Sequence, residues 1–460
     1  SPLWSAFQAR VQPKCRIEPI TSTQVAQSLS IIRQHDCHFA VLGGGTSPFK
    51  GASNADQGIT ISLRRMKEVK LISGDTPSVR VGGGVVWGDV YHVLDGMKMS
   101  ATGTRNSLTG VVGSVLGGGI SFFSEHHGWA CDTVLEFEVV LANSTIVRAS
   151  PNSSPDLFWA LKGGGNNFGI ITSVLIEVFP DPPEWYSFQL FNIADMDIVF
   201  NRLENHTLAM PDHVWQIATT LQWHIPTQAF VISERMVSSK QLQLPASVSR
   251  IDEAGSVKQS SVLQSNTYRR SILAMSQKMD GMNPEGFYNF FGSVTVKSHS
   301  QVSMVLAEIF QDEVHSIKDE PNLQIYIVYN PLTRAALHQM KKRGGNSLGL
   351  VEDDGPLTVI NINLHWSKED SEAKMRRFMR SLVSRFRSKA SSMDMLHPYI
   401  FQNHAYEEQN VFAGSGDVKL TRLKEVRRSV DPHAVFQRLQ PGFFKLEHEE
   451  AEVQLEKSEL

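Results

Sequence analysis

Short apolar runs separated by tight, glycine-rich turns fill the chain from its N-terminus to Pro180. The length and the β-branched content of these runs predict strands. The predicted strands are CHFAVL, GITISL, SVRVGGG, VLEFEVVLA and GIITSVLIEVF. Between them, apolar residues at helical spacing predict helices in residues 20–35, in VWGDVYHVLDGM and in SSPDLFWALKG. Thr21 or Ser22 is expected to cap the first of these helices.

A second pattern begins at PDPPEW, residues 180–185, where the triple glycines stop and the periodic segments lengthen. Alternation predicts strands in VWQIATTLQWHI, FYNFFGSVTV, LQIYIVYN and TVININLHWS. Apolar stripes predict helices in ADMDIVFNRLENHTLA, SQVSMVLAEIFQDEV and EDSEAKMRRFMRSLVSRFRS. A sheet that carries helices on one face is the natural packing of such a set. Residues 242–265 are expected to form a loop or a weakly specified strand pair, and the tail from Leu446 is expected to fray.

Size and charge exclude several classes of protein. A chain of 460 residues is expected to form two or more domains. Its net charge of −3, with Lys and Arg scattered among nearly equal numbers of acids, gives no basic face for nucleic acid or for an anionic membrane. No segment reaches the roughly 18–20 apolar residues that span a bilayer.

Cysteines and sequons leave the compartment open. The cysteines are Cys15, Cys37 and Cys131, which fit either one disulfide with a free thiol or three buried thiols. Three Asn-x-Ser/Thr triplets permit a secretory route, and we expect a secreted glycoprotein on that basis. The chain begins Ser1-Pro2 without Met or an apolar leader, so we expect that any signal peptide has been removed or was never part of this chain.

Four glycine clusters are the strongest chemical signal. They are LGGGT, VGGGVVWG, GVVGSVLGGG and KGGGNNFG, each at the end of a predicted strand. One such cluster alone is typical of a tight turn. Four together predict the close approach of an extended, phosphate-bearing ligand to the main chain, where successive N–H groups can bind an anion. The fingerprint GxGxxG is not met, because Pro48 stands where a helix should open, and no GxxxxGK[ST] occurs.

The segments around these clusters resemble a known family. HFAVLGGGTSPFKGAS, VRVGGGVVWGDVYHVLDGM, GVVGSVLGGGISFFSEHHGWACDTVLEFEVVLANSTIV and SPDLFWALKGGGNNFGIITSVLIEVFP are similar to the berberine bridge enzyme-like FAD-linked oxidases, in their fungal branch. These belong to the vanillyl-alcohol oxidase/PCMH flavoprotein superfamily. The C-terminal segment YIFQNHAYEEQNVFAGSGDVKLTRLKEVRRSVDPHAVFQRLQPGFFKL resembles the closing segment of that family.

The resemblance implies an α+β fold with an interrupted flavin domain. Residues 15–181 would form a PCMH-type FAD-binding domain of two subdomains, and residues 182–394 a substrate domain with an antiparallel sheet backed by helices. Residues 395–446 would complete the flavin domain, and residues 447–460 would be a disordered tail.

The resemblance also implies which residues contact FAD. The glycine turn would wrap the pyrophosphate, two further turns would line the flavin, and a fourth would meet the adenosine half. These residues are Gly43, Gly44, Gly45, Thr46, Ser47, Gly103, Thr104, Arg105, Gly113, Ser114, Gly118, Gly119, Gly169 and Ile171, with Asn403 from the C-terminal segment.

The chain departs from its relatives at both points of covalent attachment. Most relatives have Gly-Gly-Gly-His-Ser in the first turn and link that His to the flavin, whereas Thr46 stands here. Many relatives supply a second link from a Cys, but no Cys lies between Cys37 and Cys131. We therefore expect noncovalent FAD, which in this family goes with a weaker oxidant. An activated substrate, a flavin kept as a scaffold, or a decayed site are all compatible with this departure.

The candidate proton acceptors are His404, His365 and Tyr329. His404 follows Asn403 where relatives commonly have Tyr, and a His can act as acid or base near neutral pH. A structural, hydrogen-bonded His is an equally good interpretation. The adjacent His126 and His127 are more typical of a surface loop, and no third residue at fixed spacing makes them a metal site.

Alternation in the second half predicts which side chains face the flavin. In TVININLHW, one face carries Val359, Asn361, Asn363 and His365, and the other carries Ile360, Ile362, Leu364 and Trp366. The apolar face belongs against helices, so the polar face should line the site. In WQIATTLQWH the polar set is Gln216, Thr220, Gln222 and His224. Tyr326 and Tyr329 are out of phase, so only one of them faces the site.

These observations favour an FAD-dependent oxidoreductase acting on a small organic molecule, and we expect an intermediate of fungal secondary metabolism. Hydride would pass to flavin N5, and O2 would reoxidise the flavin. A redox-neutral isomerase or pericyclase on the same scaffold is the alternative, and a binding protein that has lost its flavin is a third. The sequence alone leaves the substrate, the acid–base residue and the oligomeric state open.

Overall fold

The computed structural model describes residues 3–181, 185–242, 247–251 and 257–446. The elements up to Pro180 are short, as the spacing of the glycine turns predicts. In chain order they are α1 (Ala6–Ala9), β1 (Cys15–Ile17), α2 (Ser22–Gln34), β2 (Phe39–Leu42), β3 (Ile59–Ser62), β4 (Val69–Ile72), β5 (Ser78–Gly82), α3 (Trp87–Asp95), β6 (Met99–Ala101), α4 (Val111–Leu116), α5 (Ser124–His127), β7 (Val134–Val140), β8 (Ile146–Ala149), α6 (Pro155–Leu161) and β9 (Ile170–Pro180).

Two sheets organise this first part. One is parallel and three-stranded, in the order β1-β3-β2. The other is antiparallel and runs β4-β5-β9-β7-β8, with β6 paired to β9. The predicted helix at residues 20–35 is confirmed: Thr21 accepts a hydrogen bond from the N–H of Gln24, and Leu29 is buried. The hydroxyl cap satisfies one of the free N–H groups at the helix start.

The elements of the second part are longer. They are β10 (Trp185–Asn192), α7 (Met196–Leu208), β11 (Val214–His224), β12 (Ala229–Ser238), β13 (Ser247–Ile251), β14 (Val257–Arg269), α8 (Ile272–Asp280), β15 (Tyr288–Lys297), α9 (Ser300–Val314), β16 (Gln324–Leu332), α10 (Arg334–Gln339), β17 (Leu357–Trp366), α11 (Glu372–Ser392), β18 (Leu396–His397), α12 (Asp417–Val430) and α13 (Val435–Arg438). Nine strands form one antiparallel sheet in the order β13-β14-β10-β12-β11-β16-β17-β15-β18.

One face of this sheet is covered by α7, α9 and α11. The apolar row of β17 packs there, with Ile360, Ile362, Leu364 and Trp366 all in the same buried cluster as the apolar stripes of the three helices. The opposite face looks toward the glycine turns of the first part. The α+β fold and the antiparallel sheet backed by helices are therefore confirmed, and the polar side of the sheet lies where the alternation predicted.

Three strands of the sheet are absent from the sequence prediction, namely β10, β12 and the two-residue β18. β10 and β12 are central strands, and β12 carries Glu234 and Arg235 in its middle, which breaks the apolar pattern. The Glu234 side chain is fully buried and pairs with Arg202 of α7 at 2.7 Å. Residues 242–265 do form a strand pair, β13 with β14, and the remainder of that segment, residues 243–246 and 252–256, lies outside the described residues.

The C-terminal segment returns to the first part of the chain. The Phe39 N–H in β2 donates to the carbonyl of Leu439 at 2.7 Å, and the side chain of Asn167 donates to the carbonyl of Phe444. Phe436 stacks edge-on against Phe39. The exact domain boundaries stay predictions, and the predicted tail, residues 447–460, lies outside the described residues.

Surface features bear on the remaining predictions. All three cysteines are free, and they differ in exposure: Cys15 is exposed, Cys37 half-buried and Cys131 buried. The structure therefore has no disulfide among these cysteines, and only one of the three thiols is buried. The sequon residues Asn143 and Asn152 are exposed, as is the third at 205. Within the described residues, no helix is long and apolar enough to cross a membrane.

Candidate active site

A cavity of about 350 Å³ lies between the glycine turns and the open face of the large sheet. One wall consists of main chain and small side chains from the first part, and the other of aromatic, amide and guanidinium groups from β10, β12, β11, β16 and β17. The C-terminal residues Phe401, Asn403 and His404 close a third side. Its volume falls in the range of small-molecule and cofactor sites.

The turn after β2 presents unpaired donors to this cavity. Within the described chain, the N–H groups of Gly44, Gly45 and Thr46 donate to no protein acceptor, and all three residues line the cavity wall. Gly45 has φ +79°, a left-handed conformation that glycine adopts without strain. Successive free N–H groups in such a turn form an anion-binding concavity, so this turn fits a pyrophosphate.

The glycines serve two different purposes. A Cβ at Gly44 would lie 2.4 Å from the Cα of Gly110, so there glycine allows two turns to pack together. Gly113 on α4 lines the cavity, and a Cβ there would meet no atom within 4 Å. The prediction that glycine allows a ligand to approach the main chain therefore applies to Gly113 and to the free N–H groups. Elsewhere, as at Gly44, glycine is required because neighbouring protein atoms leave no room for a Cβ.

The structure brings together most of the predicted cofactor residues. Those on the cavity wall are Gly43, Gly44, Gly45, Thr46, Ser47, Thr104, Arg105, Gly113, Ser114, Gly119, Gly169, Ile171 and Asn403. Gly103 and Gly118 are not part of the cavity wall, and their contact with FAD stays a prediction. A Cβ at Gly103 would lie 2.2 Å from the Trp87 ring, and one at Gly118 would lie 2.7 Å from the Trp129 ring.

Asn403 is fixed by the glycine wall. Its side-chain amide donates to the carbonyl of Ser114 at 2.9 Å, and Gly117 leaves room for its side-chain oxygen. This contact joins the C-terminal segment to α4 at the cavity edge. Asn403 thus holds His404, the next residue, against the cavity.

His404 is a neutral imidazole in an aromatic setting. Its ring lies 4.8 Å from that of Phe291 and 5.5 Å from that of Phe401, and its Nδ1 is buried without a partner among the described residues. Burial, with the positive charge of Arg105 and the neighbouring His365, lowers the pKa of His404 to about 3. The ring therefore carries an available nitrogen lone pair and no charge at neutral pH.

His365 lies outside the cavity wall. Its ring is fully buried 5.9 Å from the Tyr326 ring, and its Nδ1 hydrogen-bonds to the side-chain oxygen of Asn289. Burial lowers the pKa of His365 to about 3. This geometry supports Tyr326 from behind and gives His365 no direct access to a ligand.

Tyr329 is on the wrong face of the sheet, which corrects its choice as a proton acceptor. Its ring packs 4.7 Å from Phe200 of α7, and its hydroxyl donates to the carbonyl of Ser303 on α9 at 3.2 Å. Tyr326 is the tyrosine of β16 that lines the cavity, with its hydroxyl 3.1 Å from the side-chain oxygen of Asn283. Burial raises the pKa of Tyr326, so this phenol stays protonated.

The polar row of the sheet is only partly in the site. Asn361, Asn363 and Gln216 line the cavity as the alternation predicted. The side-chain oxygen of Asn361 is buried without a partner among the described residues. Thr220, Gln222 and His224 lie farther along β11 and do not line it.

Sequence reasoning missed several cavity residues. Tyr186 and Arg235 belong to β10 and β12, which the pattern did not identify, and Trp4 precedes the first predicted element. The pair His126 and His127 lies outside the wall, with the His127 ring stacked 3.9 Å from that of Phe179. Within the described residues, no group of three ligating side chains suits a metal ion.

Comparisons with known proteins agree with this architecture. Residues 13–150 match the model of the FAD binding domain family. The chain is 31% identical to the FAD-dependent monooxygenase tpcD of Cochliobolus heterostrophus, over 96% of this chain and 86% of that protein. Among solved structures, 6-hydroxy-D-nicotine oxidase from Arthrobacter nicotinovorans superposes with a TM-score of 0.75 at 18% identity, covering 94% of this chain and 92% of that one. Physcomitrella patens BBE-like 1 gives 0.75 at 17% identity, with coverage of 94% and 92%.

The chain belongs to the same family as the fungal FAD-dependent monooxygenase tpcD, with an FAD binding domain in its first part. Its fold is the one found in 6-hydroxy-D-nicotine oxidase and in BBE-like 1. It is therefore an FAD-binding enzyme, and its relatives include fungal FAD-dependent monooxygenases. The likeness in structure supports the fold, and the likeness in sequence to tpcD supports the family.

Proposed function

We propose that this enzyme holds FAD without a covalent link and oxidises a small organic molecule, an intermediate of fungal secondary metabolism. The observation that carries the proposal is the cavity with unpaired main-chain donors on one wall and hydrogen-bonding side chains on the other. Thr46 at the first turn has a hydroxyl that cannot plausibly form the family's histidyl link. The names of the relatives support O2 as a co-substrate.

The residues present fit FAD. The free N–H groups of residues 44–46 would hold the pyrophosphate, and the bare face of Gly113 would admit the ring system or its ribityl chain. Bound FAD would supply a two-electron acceptor that takes a hydride equivalent and passes the electrons to O2. Because the bound flavin would accept the electrons, the protein itself would mainly have to orient the substrate and accept its proton.

The protein side of the reaction falls to the sheet and the C-terminal segment. Asn361 offers an unpaired oxygen to a donor group of the substrate, and Tyr326 offers a protonated hydroxyl. Phe291 and Phe401 exclude water around His404. His404 is the residue best placed to take the substrate proton, since its ring lines the cavity and carries a free nitrogen. Its low pKa makes it a weak base until a bound group raises that pKa.

A redox-neutral isomerase or pericyclase remains the second candidate, and Thr46 is the observation that favours it. Without a covalent link the flavin would be a weaker oxidant, so it could serve to shape the cavity. In that case His404 would shuttle a proton without net electron transfer.

The attachment of the flavin can be tested by acid precipitation of the purified yellow protein. We expect all of the flavin absorbance in the supernatant, because Thr46 stands at the position of the linking His and no described Cys lines the cavity. Flavin retained in the pellet would contradict the argument from Thr46.

The two candidate functions separate under anaerobic conditions. Substrate that is oxidised must bleach the absorbance of the flavin, and admitting O2 must restore it. Product formation with no bleaching would establish the redox-neutral reaction instead.

A further inference from the structure

Few charged groups face the cavity, and their balance is positive. The titratable side chains on its wall are Arg105, Tyr186, Arg235, Asp280, Tyr326 and His404. Both tyrosines have raised pKa values and His404 a lowered one, so these three are neutral. The one acid on the wall, Asp280, accepts hydrogen bonds with its carboxylate from the N–H and the hydroxyl of Ser107, and it is not among the groups that shift the pKa of Arg105. It offsets one of the two guanidinium charges, so the net charge of the wall is positive.

Arg105 has no counter-charge in the described part of the chain. It lies in the loop between β6 and α4, and no ion pair or hydrogen bond of its guanidinium is formed with any described residue. Burial, with the charge of Arg235, lowers the pKa of Arg105 to about 10, so the group stays charged at neutral pH. A buried guanidinium without a partner is costly, and proteins usually pair it.

Arg235 approaches the same space from the sheet. It stands on β12 opposite Ala218, and one of its terminal nitrogens donates to the hydroxyl of Thr220 at 3.2 Å. Its guanidinium lies 6.0 Å from the centre of the Phe188 ring. No carboxylate of the described residues pairs with it. Two like charges held together in this way form a site for an anion that both can contact.

Aromatic rings continue the site beyond the guanidinium groups. Trp4 and Phe291 stack at 5.7 Å, and Tyr326 lies on the same wall. These rings suit a flat, conjugated body. A ligand that filled both regions would carry its negative charge at one end of an aromatic system.

We propose that the substrate is an aromatic molecule bearing an oxyanion, a carboxylate or an acidic phenolate, which Arg105 and Arg235 bind together. The proposal rests on the proposed oxidoreductase function and names its substrate class. It departs from the family resemblance, which assigned Arg105 to the flavin, because the charged and phenolic groups that surround Arg105 are those of β10, β12 and β16.

The same contact prepares the proton acceptor. The positive charge of Arg105 is, after burial, the largest cause of the low pKa of His404. An anion on Arg105 offsets that charge and raises the pKa of His404. Substrate binding therefore makes the imidazole a better base at the moment when the proton must leave.

The test uses the flavin-loaded protein and two probes of the same shape. The holoprotein is titrated with 2-naphthoate and with the uncharged 2-naphthamide, and binding is measured by perturbation of the flavin spectrum and by the shift in melting temperature. 4-Nitrophenol, titrated above and below its ionisation, separates phenolate from carboxylate recognition. We expect 2-naphthoate to bind about tenfold or more tightly than the amide, since charge-assisted hydrogen bonds are strong.

Variants connect the preference to the two arginines. Arg105→Gln and Arg235→Gln should each abolish the preference for the anion and leave the flavin content unchanged. Arg105→Lys should keep part of it, because the charge remains and the planar fork is lost. Arg148→Gln is the matched control, since that guanidinium is 61% exposed and belongs to β8.

The outcomes separate the two proposals. Equal binding of both probes, or binding of neither, overturns the oxyanion proposal even if FAD is present and reduced by a substrate. Loss of flavin from Arg105→Gln also overturns it, because the arginine would then hold the cofactor. If the protein contains no FAD but still binds 2-naphthoate more tightly than 2-naphthamide, the proposed function is wrong and the anion site is supported.

Discussion

Gly113 differs from the other glycines of its cluster, residues 110–119, because the space beside it is open. It sits inside α4, where glycine costs about 1 kcal/mol relative to alanine. No protein atom lies within 4 Å of the position that its Cβ would take. The stability of the chain alone would therefore favour a larger residue at this position. We infer that glycine is needed here to leave room for a ligand.

Replacing Gly113 should move stability and cofactor binding in opposite directions. We expect Gly113→Ala to raise the melting temperature of the flavin-free protein slightly and Gly113→Leu to lower the flavin-to-protein ratio several-fold. The measurements are the ratio of flavin to protein absorbance and thermal unfolding after flavin removal.

Gly96→Ala is the matched control for this pair. That glycine follows α3 with φ −62° and has no protein atom closer than 3.8 Å, so it resembles Gly113 in backbone and in space but lies away from the cavity. A Gly113→Leu protein with full flavin would show that the open space has no part in binding FAD.

Single residues also show what alternation can and cannot predict. Period-two spacing correctly placed Tyr326 and Tyr329 of β16 on opposite faces, but spacing alone does not say which face meets the helices. The answer depends on partners distant in sequence: Phe200 and Ser303 receive Tyr329. The choice between the two could not be made without them.

At the scale of elements, α5 and α10 are joined by a buried acid. Glu125 of α5 is 7% exposed and accepts a hydrogen bond from the hydroxyl of Thr333, the cap of α10. Burial raises the pKa of the Glu125 carboxyl to about 7. The folded protein therefore holds a proton there that the unfolded chain releases near pH 4.5.

The sign of the resulting pH dependence follows from that difference. Between about pH 4.5 and 7 the folded state binds more protons than the unfolded state, so stability falls as the pH rises. Glu125→Gln cannot titrate and should remove this fall. Relative to the original protein, we expect Glu125→Gln to gain on the order of 2–3 kcal/mol in unfolding free energy between pH 5 and pH 8, measured by denaturant titration.

Glu408→Gln serves as the control for that series. Hydrogen bonds from Arg380 hold the pKa of Glu408 below its usual range, so its contribution is lost only in acid, below the span of the experiment. Its unfolding free energy should run parallel to that of the original protein from pH 5 to pH 8. If Glu125→Gln also runs parallel, Glu125 is charged in the folded protein.

Some helices and strands were predicted from the sequence and others were not. The helices α7, α9 and α11 have apolar stripes that only a helix can align, and they were predicted. β12 was not, because a central strand that buries Glu234 against Arg202 does not look like a strand in one dimension. Arg235, the next residue, was lost from the predicted site for the same reason.

For the molecule as a whole, the return of the C-terminal segment is the connection that completes the cofactor wall. Lys445 is buried there, and its ammonium donates to the side-chain oxygen of Asn166 at 2.9 Å. Burial lowers the pKa of Lys445 to about 7, against the opposing effect of Asp431. Between about pH 7 and 10.5 the unfolded chain therefore binds more protons, and stability rises with pH.

Lys445→Met should remove that rise. We expect the difference in unfolding free energy between the original protein and Lys445→Met to change by on the order of 2 kcal/mol between pH 7 and pH 9, in favour of the original protein at the higher pH. Denaturant titration in matched buffers measures it, with Lys389→Met on the exposed end of α11 as the control for the substitution. Identical slopes for the original protein and Lys445→Met would mean that Lys445 is charged when folded.

The overall fold could be predicted from the sequence only in the parts that contain long, recognisable motifs. The glycine clusters and the closing segment identified the flavin-binding half, and most of its predicted contacts meet at one cavity. The substrate side depends on strand order within a nine-stranded sheet, and order is set by contacts between distant segments. Composition and periodicity carry no record of those contacts.

In the large sheet, alternate residues have different roles: one row packs against the helices and the other faces the cavity. On β17, the even-numbered side chains hold the helices, while Asn361 and Asn363 meet the ligand space. The second row can change its chemistry with little effect on the first. A new substrate range can therefore arise by substitution on one side of five strands, with the scaffold inherited intact.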